Sequence, residues 1–274
     1  SVFFDDGEVK FNKKKGRGFM NSQIYDYDVI VVGAGTAGWV SALSAARMGK
    51  KVLVIERRGS LGGVLGSGLP IHGFFDSNQI QVVKGIAEEF VEILKKKGES
   101  LGYHMTDLWF GGIACINPAA VTPTIISLFA EVDASLLMYA QVVDILIKED
   151  RVYGVVVQEK FQKLTYTGAV IIDASGDAII SNFAKKKTLT SDLIQPPSLV
   201  IRLQNVDIKK LKDHIKATPG AYVDWRMNPG KKVDNDFIDK TEFFFLHPEL
   251  IEKIPYTGEY SPFINRFMFT MTPD

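Results

Sequence analysis

The sequence predicts an α/β fold: a mainly parallel sheet, continued by an antiparallel β-meander and followed by a second, mainly β domain. Three observations carry this. Asp28-Val29-Ile30-Val31-Val32 and Lys51-Val52-Leu53-Val54-Ile55-Glu56 are short apolar runs without alternation, the pattern of strands buried on both faces. Three further β-rich runs, Val142–Lys148, Val152–Gln158 and Lys163–Thr167, succeed one another with only short polar breaks, as in a meander. Beyond about Ser181 the pattern changes again, to strand-like runs at Ser198–Leu203, Phe243–Leu246 and Arg266–Thr272 around a Pro196-Pro197 pair. The division that follows is a tail at 1–24, a first domain at 25–180 with an excursion around 68–120, and a second domain at 181–274.

Composition agrees. The chain has 274 residues, 46% hydrophobic and 23% charged, which is globular rather than disordered. Its 32 basic residues balance 32 acidic ones, so no general pull toward nucleic acid or an anionic membrane exists. Cys115 is the one cysteine and cannot form an internal disulfide. No apolar run approaches the roughly 18–20 residues of a membrane span, and no signal-peptide pattern opens the chain. A soluble cytoplasmic protein is the expectation.

Taken in order, residues 1–20 read as a flexible tail, with Lys13, Lys14, Lys15 and Arg17 in water. After the first strand, Gly33-Ala34-Gly35-Thr36-Ala37-Gly38 breaks the run. A helix of small residues follows to Met48 and is stopped by Gly49. The second strand ends at Glu56, completing a β-α-β unit. A glycine-rich loop spans Gly59 to Gly73. Ile86–Lys97 is amphipathic, with Ile86, Phe90, Val91 and Leu94 on one face and three lysines at its end. A loop is expected around Trp109 and Cys115, and a helix opened by Pro123 and running to about Val132. Leu136–Tyr139 is a strand ahead of the meander. Ala169–Asp173 is a further buried strand, ending at Ala174-Ser175-Gly176-Asp177.

The glycine cluster carries the chemistry. Gly33 permits a tight turn out of the strand, Gly35 lets backbone approach a pyrophosphate, and Gly38 permits close helix–strand packing. Free N–H groups at the helix start, those of Thr36 and Ala37 among them, suit the pyrophosphate, helped by the helix dipole. Glu56, 18 residues after Gly38, can accept hydrogen bonds from both ribose hydroxyls and repels a 2′-phosphate, which disfavours an NADP-type ligand. The fingerprint alone leaves three readings open: an FAD enzyme, an NAD-dependent dehydrogenase, and a non-catalytic nucleotide-binding module or inactive fragment. The unit's place near the N-terminus, the Gly62-Gly63 pair and the meander favour FAD.

The stretch Asp28–Glu56, continued by Arg57-Arg58-Gly59-Ser60-Leu61-Gly62-Gly63-Val64-Leu65, resembles the FAD-dependent oxidoreductase family of the glutathione-reductase-like class. Ile172-Asp173-Ala174-Ser175-Gly176-Asp177-Ala178 resembles the same family's A-T-G-D segment, with serine for threonine. Ile116-Asn117-Pro118 and Leu136–Val142 fit its middle region. The resemblance implies a Rossmann-like FAD-binding domain and a flavin-dependent oxidoreductase acting on a small organic molecule. It also implies site roles. Gly33, Gly35 and Gly38 meet the pyrophosphate. Glu56 holds the ribose and Arg57 flanks the adenine. Gly62 and Gly63 let a loop pass the diphosphate, and Val142 contacts adenine through its backbone. Ala174 and Gly176 close over the dinucleotide, with Asp177 as helix cap or ligand contact. The family's C-terminal return segment, with its own glycine motif near the flavin, has no counterpart after Gly176. The expectation is therefore that 181–274 is an incomplete substrate domain, and that the chain keeps the adenosine-side contacts but holds FAD weakly or not at all.

Other candidates weigh less. His72, just after the glycine loop, is a candidate proton donor, set against an ordinary surface or packing histidine. Cys115 has no C-x-x-C partner and reads as a small buried hydrophobe rather than a redox thiol. His104, His214 and His247 lack metal-ligand spacing, so no metal is expected. Phe243-Phe244-Phe245 reads as core packing before substrate pocket.

Overall fold

The computed structural model describes residues 2–5, 8–11, 24–67, 71–105, 112–189, 198–202, 210, 213, 217 and 266–270. The chain divides into two units, Ser1–Asp192 and Leu193–Asp274.

The first unit begins with β1 (Val2–Asp5) and β2 (Glu8–Phe11), paired antiparallel with Asp5 opposite Glu8. This part of the expected tail is therefore a hairpin.

β3 (Ile24–Val32), α1 (Thr36–Arg47) and β4 (Val52–Glu56) form the expected β-α-β unit. β3 starts four residues earlier than the apolar run suggests. Tyr25 and Tyr27 hold that extension against Tyr166, with ring centroids 5.3 and 6.3 Å away. Aromatic side chains on one sheet face supply packing that an aliphatic pattern does not reveal. At the other end of the loop, Asp28 accepts the Lys51 N–H at 2.9 Å and pins β3 to β4.

The excursion contains β5 (Ile71–His72), α2 (Ile86–Lys96), β6 (Ser100–Met105) and β7 (Gly112–Ile116). The three strands form a small antiparallel sheet in the order β5-β7-β6. Cys115 thus lies on a strand, not in the expected loop; Trp109 lies outside the described residues. α2 buries Phe90, Val91 and Leu94, the face read from its periodicity.

α3 (Val121–Phe129) begins two residues before Pro123. The sequence reading of Pro123 as its opening is corrected. A short 3-10 turn at Pro118–Ala120 leads into α3, and the Asn117 side chain caps it by accepting the Ala119 N–H at 3.0 Å. Pro123 sits in the first turn, where its missing N–H costs nothing.

β8 (Ala134–Met138), β9 (Gln141–Lys148), β10 (Arg151–Gln158) and β11 (Lys163–Asp173) complete a six-stranded sheet in the order β8-β4-β3-β11-β10-β9. β8, β4, β3 and β11 run parallel, whereas β11-β10-β9 is the antiparallel meander. The two strands expected at Lys163–Thr167 and Ala169–Asp173 are one. Gly168 joins them: a Cβ there would stand 3.0 Å from the Ile30 side chain, so this glycine serves close approach to β3, not a break.

Both faces of the sheet are covered, which explains the unalternating apolar runs. Val29, Val31, Val52 and Val54 join α1, α2 and α3 in one core. Ile30, Val32, Leu53 and Ile55 face the other, with Leu137, Val142, Val155, Val157, Tyr166 and Ile180. Ile180 belongs to α4 (Ile179–Phe183), which follows β11. A bidentate Arg47–Glu89 pair, at 2.6 and 2.7 Å, ties α1 to α2.

In the second unit β12 (Ser198–Arg202) and β13 (Arg266–Thr270) pair antiparallel, close to two of the expected runs. The expected run at Phe243–Leu246 lies outside the described residues.

Candidate dinucleotide site

The candidate residues gather at the carboxyl ends of β3, β4, β8 and β11, the edge where open α/β sheets bind ligands. β3 lies between β4 and β11, so its glycine loop lies between their two following turns.

The glycines divide into two kinds. At Gly33 the backbone is left-handed, with φ +94°, and a Cβ would stand 2.5 Å from the Ala174 carbonyl oxygen. At Gly38 a Cβ would stand 1.8 Å from the Gly33 carbonyl oxygen and 3.3 Å from the Ala174 Cβ. At Gly62 it would meet the Val121 side chain at 2.4 Å, and at Gly63 the Gly35 Cα at 2.9 Å. These four let loop, helix and sheet touch one another. Gly35 differs: nothing lies within 4 Å of the position its Cβ would take. The same is true of Gly176. Both border open space beside a tightly packed glycine frame.

α1 starts at that opening. Its N-cap is Gly35, which has no side chain to cap with, and its first turn contains no acidic residue. Thr36 and Ala37 are exposed. The helix start thus offers backbone N–H groups and the positive end of its dipole to an anion. The loop opposite is held in register. The Gly62 N–H donates to the Ala34 carbonyl at 2.8 Å, and the Thr36 hydroxyl donates to the Gly62 carbonyl at 3.4 Å. The Thr122 hydroxyl takes the Leu61 N–H at 3.0 Å and donates to the Leu61 carbonyl at 3.2 Å.

Glu56 has a further task beyond the one expected of it. One carboxylate oxygen accepts the Ala34 N–H and the other the Arg58 N–H, both at 2.8 Å. The side chain therefore fastens the glycine loop to the end of β4. A carboxylate has about four acceptor sites, so capacity for hydroxyl donors remains. The Glu56 carbonyl accepts the Ala140 N–H at 3.0 Å, which brings the start of β9, and Val142, to the same edge. The Val142 side chain itself is in the core. Tyr139 is exposed beside this point with φ +56°, and its ring lies over Gly59, where a Cβ would stand 1.9 Å from the phenolic oxygen.

The turn after β11 corrects one expectation. Asp177 does not cap the following helix; the N-cap position is Ala178, in the left-handed region, and no side chain of its own caps α4. Asp173 and Ser175 do that work. Asp173 accepts the Ile180 N–H at 2.9 Å, and the Ser175 hydroxyl oxygen accepts the Ile179 N–H at 3.1 Å. Asp177 is exposed and faces Arg57 at 3.8 Å, an ion pair between the turns that follow β4 and β11. The signal missed was the Asp173-x-Ser175 spacing, which suits an Asp side chain bonding the backbone two residues on.

His72 lies exposed on β5, and His104 falls on β6. His214, His247 and Phe243–Phe245 lie outside the described residues. Among the described residues, no three His, Cys, Asp or Glu side chains group as metal ligands, and no helix is long and apolar enough to cross a membrane.

The uncapped helix start, the open Gly35 and Gly176 positions and the Glu56 carboxylate together fit the diphosphate and ribose of a dinucleotide. The family model described as FAD dependent oxidoreductase matches residues 28–253. The thiamine thiazole synthase of Methanococcus maripaludis is 32% identical over 211 residues, covering 73% of this chain and 76% of that protein. Dihydrolipoyl dehydrogenase 2, mitochondrial, of Arabidopsis thaliana is 44% identical over 54 residues, 20% of this chain and 11% of its own length. The crystal structure of Thermovibrio ammonificans THI4 aligns with a TM-score of 0.43 and 22% identity over 59% of this chain and 64% of that one. The chain thus spans 11% of the matched dehydrogenase, 76% of the thiazole synthase and 64% of the solved chain.

Proposed function

The chain belongs to the FAD dependent oxidoreductase family, and from that premise we propose that its glycine frame holds the adenosine diphosphate part of FAD. The pyrophosphate lies against the N–H groups of Thr36, Ala37 and Gly38, over Gly35. Glu56 takes the ribose hydroxyls, with Arg57 and the backbone of Val142 on the adenine side. Gly62 and Gly63 pass beneath the diphosphate, and Ala174 and Gly176 wall the opposite side. Held there, FAD would supply the redox chemistry, a hydride or electron-pair transfer from a small organic substrate to an acceptor.

What the chain's own residues contribute is binding and orientation. The helix dipole and unbonded N–H groups favour the diphosphate charge. Glu56 couples ribose recognition to loop geometry, because the same carboxylate fixes Ala34 and Arg58. A 2′-phosphate beside it meets like charge, so the site favours an unphosphorylated ribose.

One observation carries this reading: Gly35, whose Cβ would point into open space, is the N-cap of a helix with no side-chain cap. The test is a calorimetric titration of the chain with ADP and with FAD, repeated on Gly35→Val. Binding of both ligands to the parent chain and loss of both in the variant is expected. Equal affinity in the two proteins would place the ligand elsewhere.

A further inference from the structure

We infer that Asp173 is a positioning residue of the dinucleotide site: without touching the ligand, it sets the turn Ala174–Gly176 against the glycine loop and so sets the affinity. This rests on the dinucleotide reading of that edge.

Four donors converge on its carboxylate. One oxygen accepts the Ser175 N–H at 3.2 Å and the Ser175 hydroxyl at 2.6 Å. The other accepts the Ile180 N–H at 2.9 Å and the Ser181 N–H at 3.4 Å. The Ser175 oxygen in turn accepts the Ile179 N–H at 3.1 Å. One side chain at the end of β11 therefore fixes both the turn and the start of α4. Between them sits Ala178 at φ +52°, a conformation that costs a non-glycine residue free energy and persists only where its surroundings enforce it. The Asp173–Ser175 network supplies that enforcement.

The turn so held is a wall of the site. The Ala174 N–H donates to the Val32 carbonyl at 2.9 Å, extending the β3–β11 ladder up to the glycine loop. Its carbonyl lies 2.5 Å from where a Gly33 Cβ would be, and its methyl 3.3 Å from where a Gly38 Cβ would be. Ala174 therefore packs against two of the three fingerprint glycines, its carbonyl on Gly33 and its methyl toward Gly38, and Gly176 beside it borders the open space. If Asp173 lets the turn drift, the frame that orients the Thr36 and Ala37 N–H groups loses its side support. Ligand affinity is then expected to fall, since donors a fraction of an ångström out of place no longer meet a diphosphate well.

The chemistry makes the variants distinguishable. Asp173→Ala removes all four acceptances. Asp173→Asn leaves one carbonyl oxygen and turns an NH2 toward two of the donors, so it keeps half the network at most. Ser175→Ala removes the hydroxyl that bonds both ways, whereas Ser175→Thr restores it.

The experiment uses the 274-residue chain with ADP as the probe, plus amide hydrogen exchange of the ligand-free chain. Asp173→Ala is expected to weaken ADP by at least tenfold and to raise exchange at Ser175, Ile179 and Ile180. Ser175→Ala should weaken ADP severalfold, and Ser175→Thr should return it to the parent value. A role in stability alone would lower the melting temperature and leave the Ala and Thr variants of Ser175 with equal affinity. That equality, or unchanged ADP affinity in folded Asp173→Ala, overturns the inference. Where Asp173→Ala fails to fold, the two Ser175 variants decide. Absence of ADP binding in the parent chain would instead sink the dinucleotide reading; the exchange measurement still tests the network, and unchanged exchange at those amides overturns it.

Discussion

Replacing Gly35 by alanine separates what the fold needs from what the ligand needs. The residue has φ −65° and ψ −174°, which any L-residue adopts, and its added methyl would meet nothing within 4 Å. A Gly→Ala change at such a position stabilises by about 0.4–1 kcal/mol, through lower entropy of the unfolded chain. For a unit of this size that raises Tm by roughly 1–4 °C. The methyl would stand in the diphosphate path. Losing one hydrogen bond to a charged group costs about 1.5–3 kcal/mol, which is about ten- to a hundredfold in affinity. Gly38→Ala is the contrast. Its methyl would stand 1.8 Å from the Gly33 carbonyl oxygen, so α1 must move away from β3. Overpacking of that kind costs about 1–3 kcal/mol or more, and both stability and affinity are expected to drop. Thermal melting paired with ADP titration reads both quantities. A Gly35→Ala chain that melts lower than the parent, or binds ADP equally well, refutes the division of the glycines into frame and opening.

Two further outcomes follow from the same geometry. Glu56→Gln leaves one acceptor oxygen for the two N–H groups of Ala34 and Arg58; it should destabilise by about 1–3 kcal/mol and weaken ADP at least tenfold, read by melting and calorimetry on one preparation. The Arg47 hydrogen bond holds the Glu89 carboxyl below its ordinary range, with the same pair raising Arg47. A depressed carboxyl contributes stability above its unfolded pKa, near 4.5, and loses it as pH falls through the lower folded value. Both side chains are a third exposed or more, so the contribution is at most about 1 kcal/mol. Denaturant unfolding from pH 7 to 3 should show a shallower acid limb in Glu89→Gln, and identical limbs would remove the pair from the account.

How much of this was legible in the sequence depended on whether a residue acts through its own local pattern. β3, α1 and β4 were readable because both sheet faces are covered, so Val29 to Val32 and Val52 to Ile55 stay apolar without alternating. α2 was readable from its apolar stripe, which is the face it buries. The failures share a cause: one residue type with two uses. Lys163–Thr167 and Ala169–Asp173 read as two strands, yet Gly168 between them lies inside one long strand, packed close against Ile30. Pro123 read as a helix opener, but a first turn tolerates proline anywhere the N–H is unused. Asp177 had the sequence position of a cap, while Asp173 had the geometry, reaching forward to Ile180 and Ser181. Glu56 was found through its spacing from Gly38. Its bonds to Ala34 and Arg58 needed coordinates, because they depend on how the β3 loop folds back over the end of β4.

On this reading the start of α1 receives the diphosphate of FAD. A crystal structure of the chain grown with ADP tests it most directly. The account predicts the diphosphate against the N–H groups of Thr36 and Ala37, over Gly35, with the ribose hydroxyls on Glu56. ADP density away from the start of α1, or a ribose turned from Glu56, would contradict it.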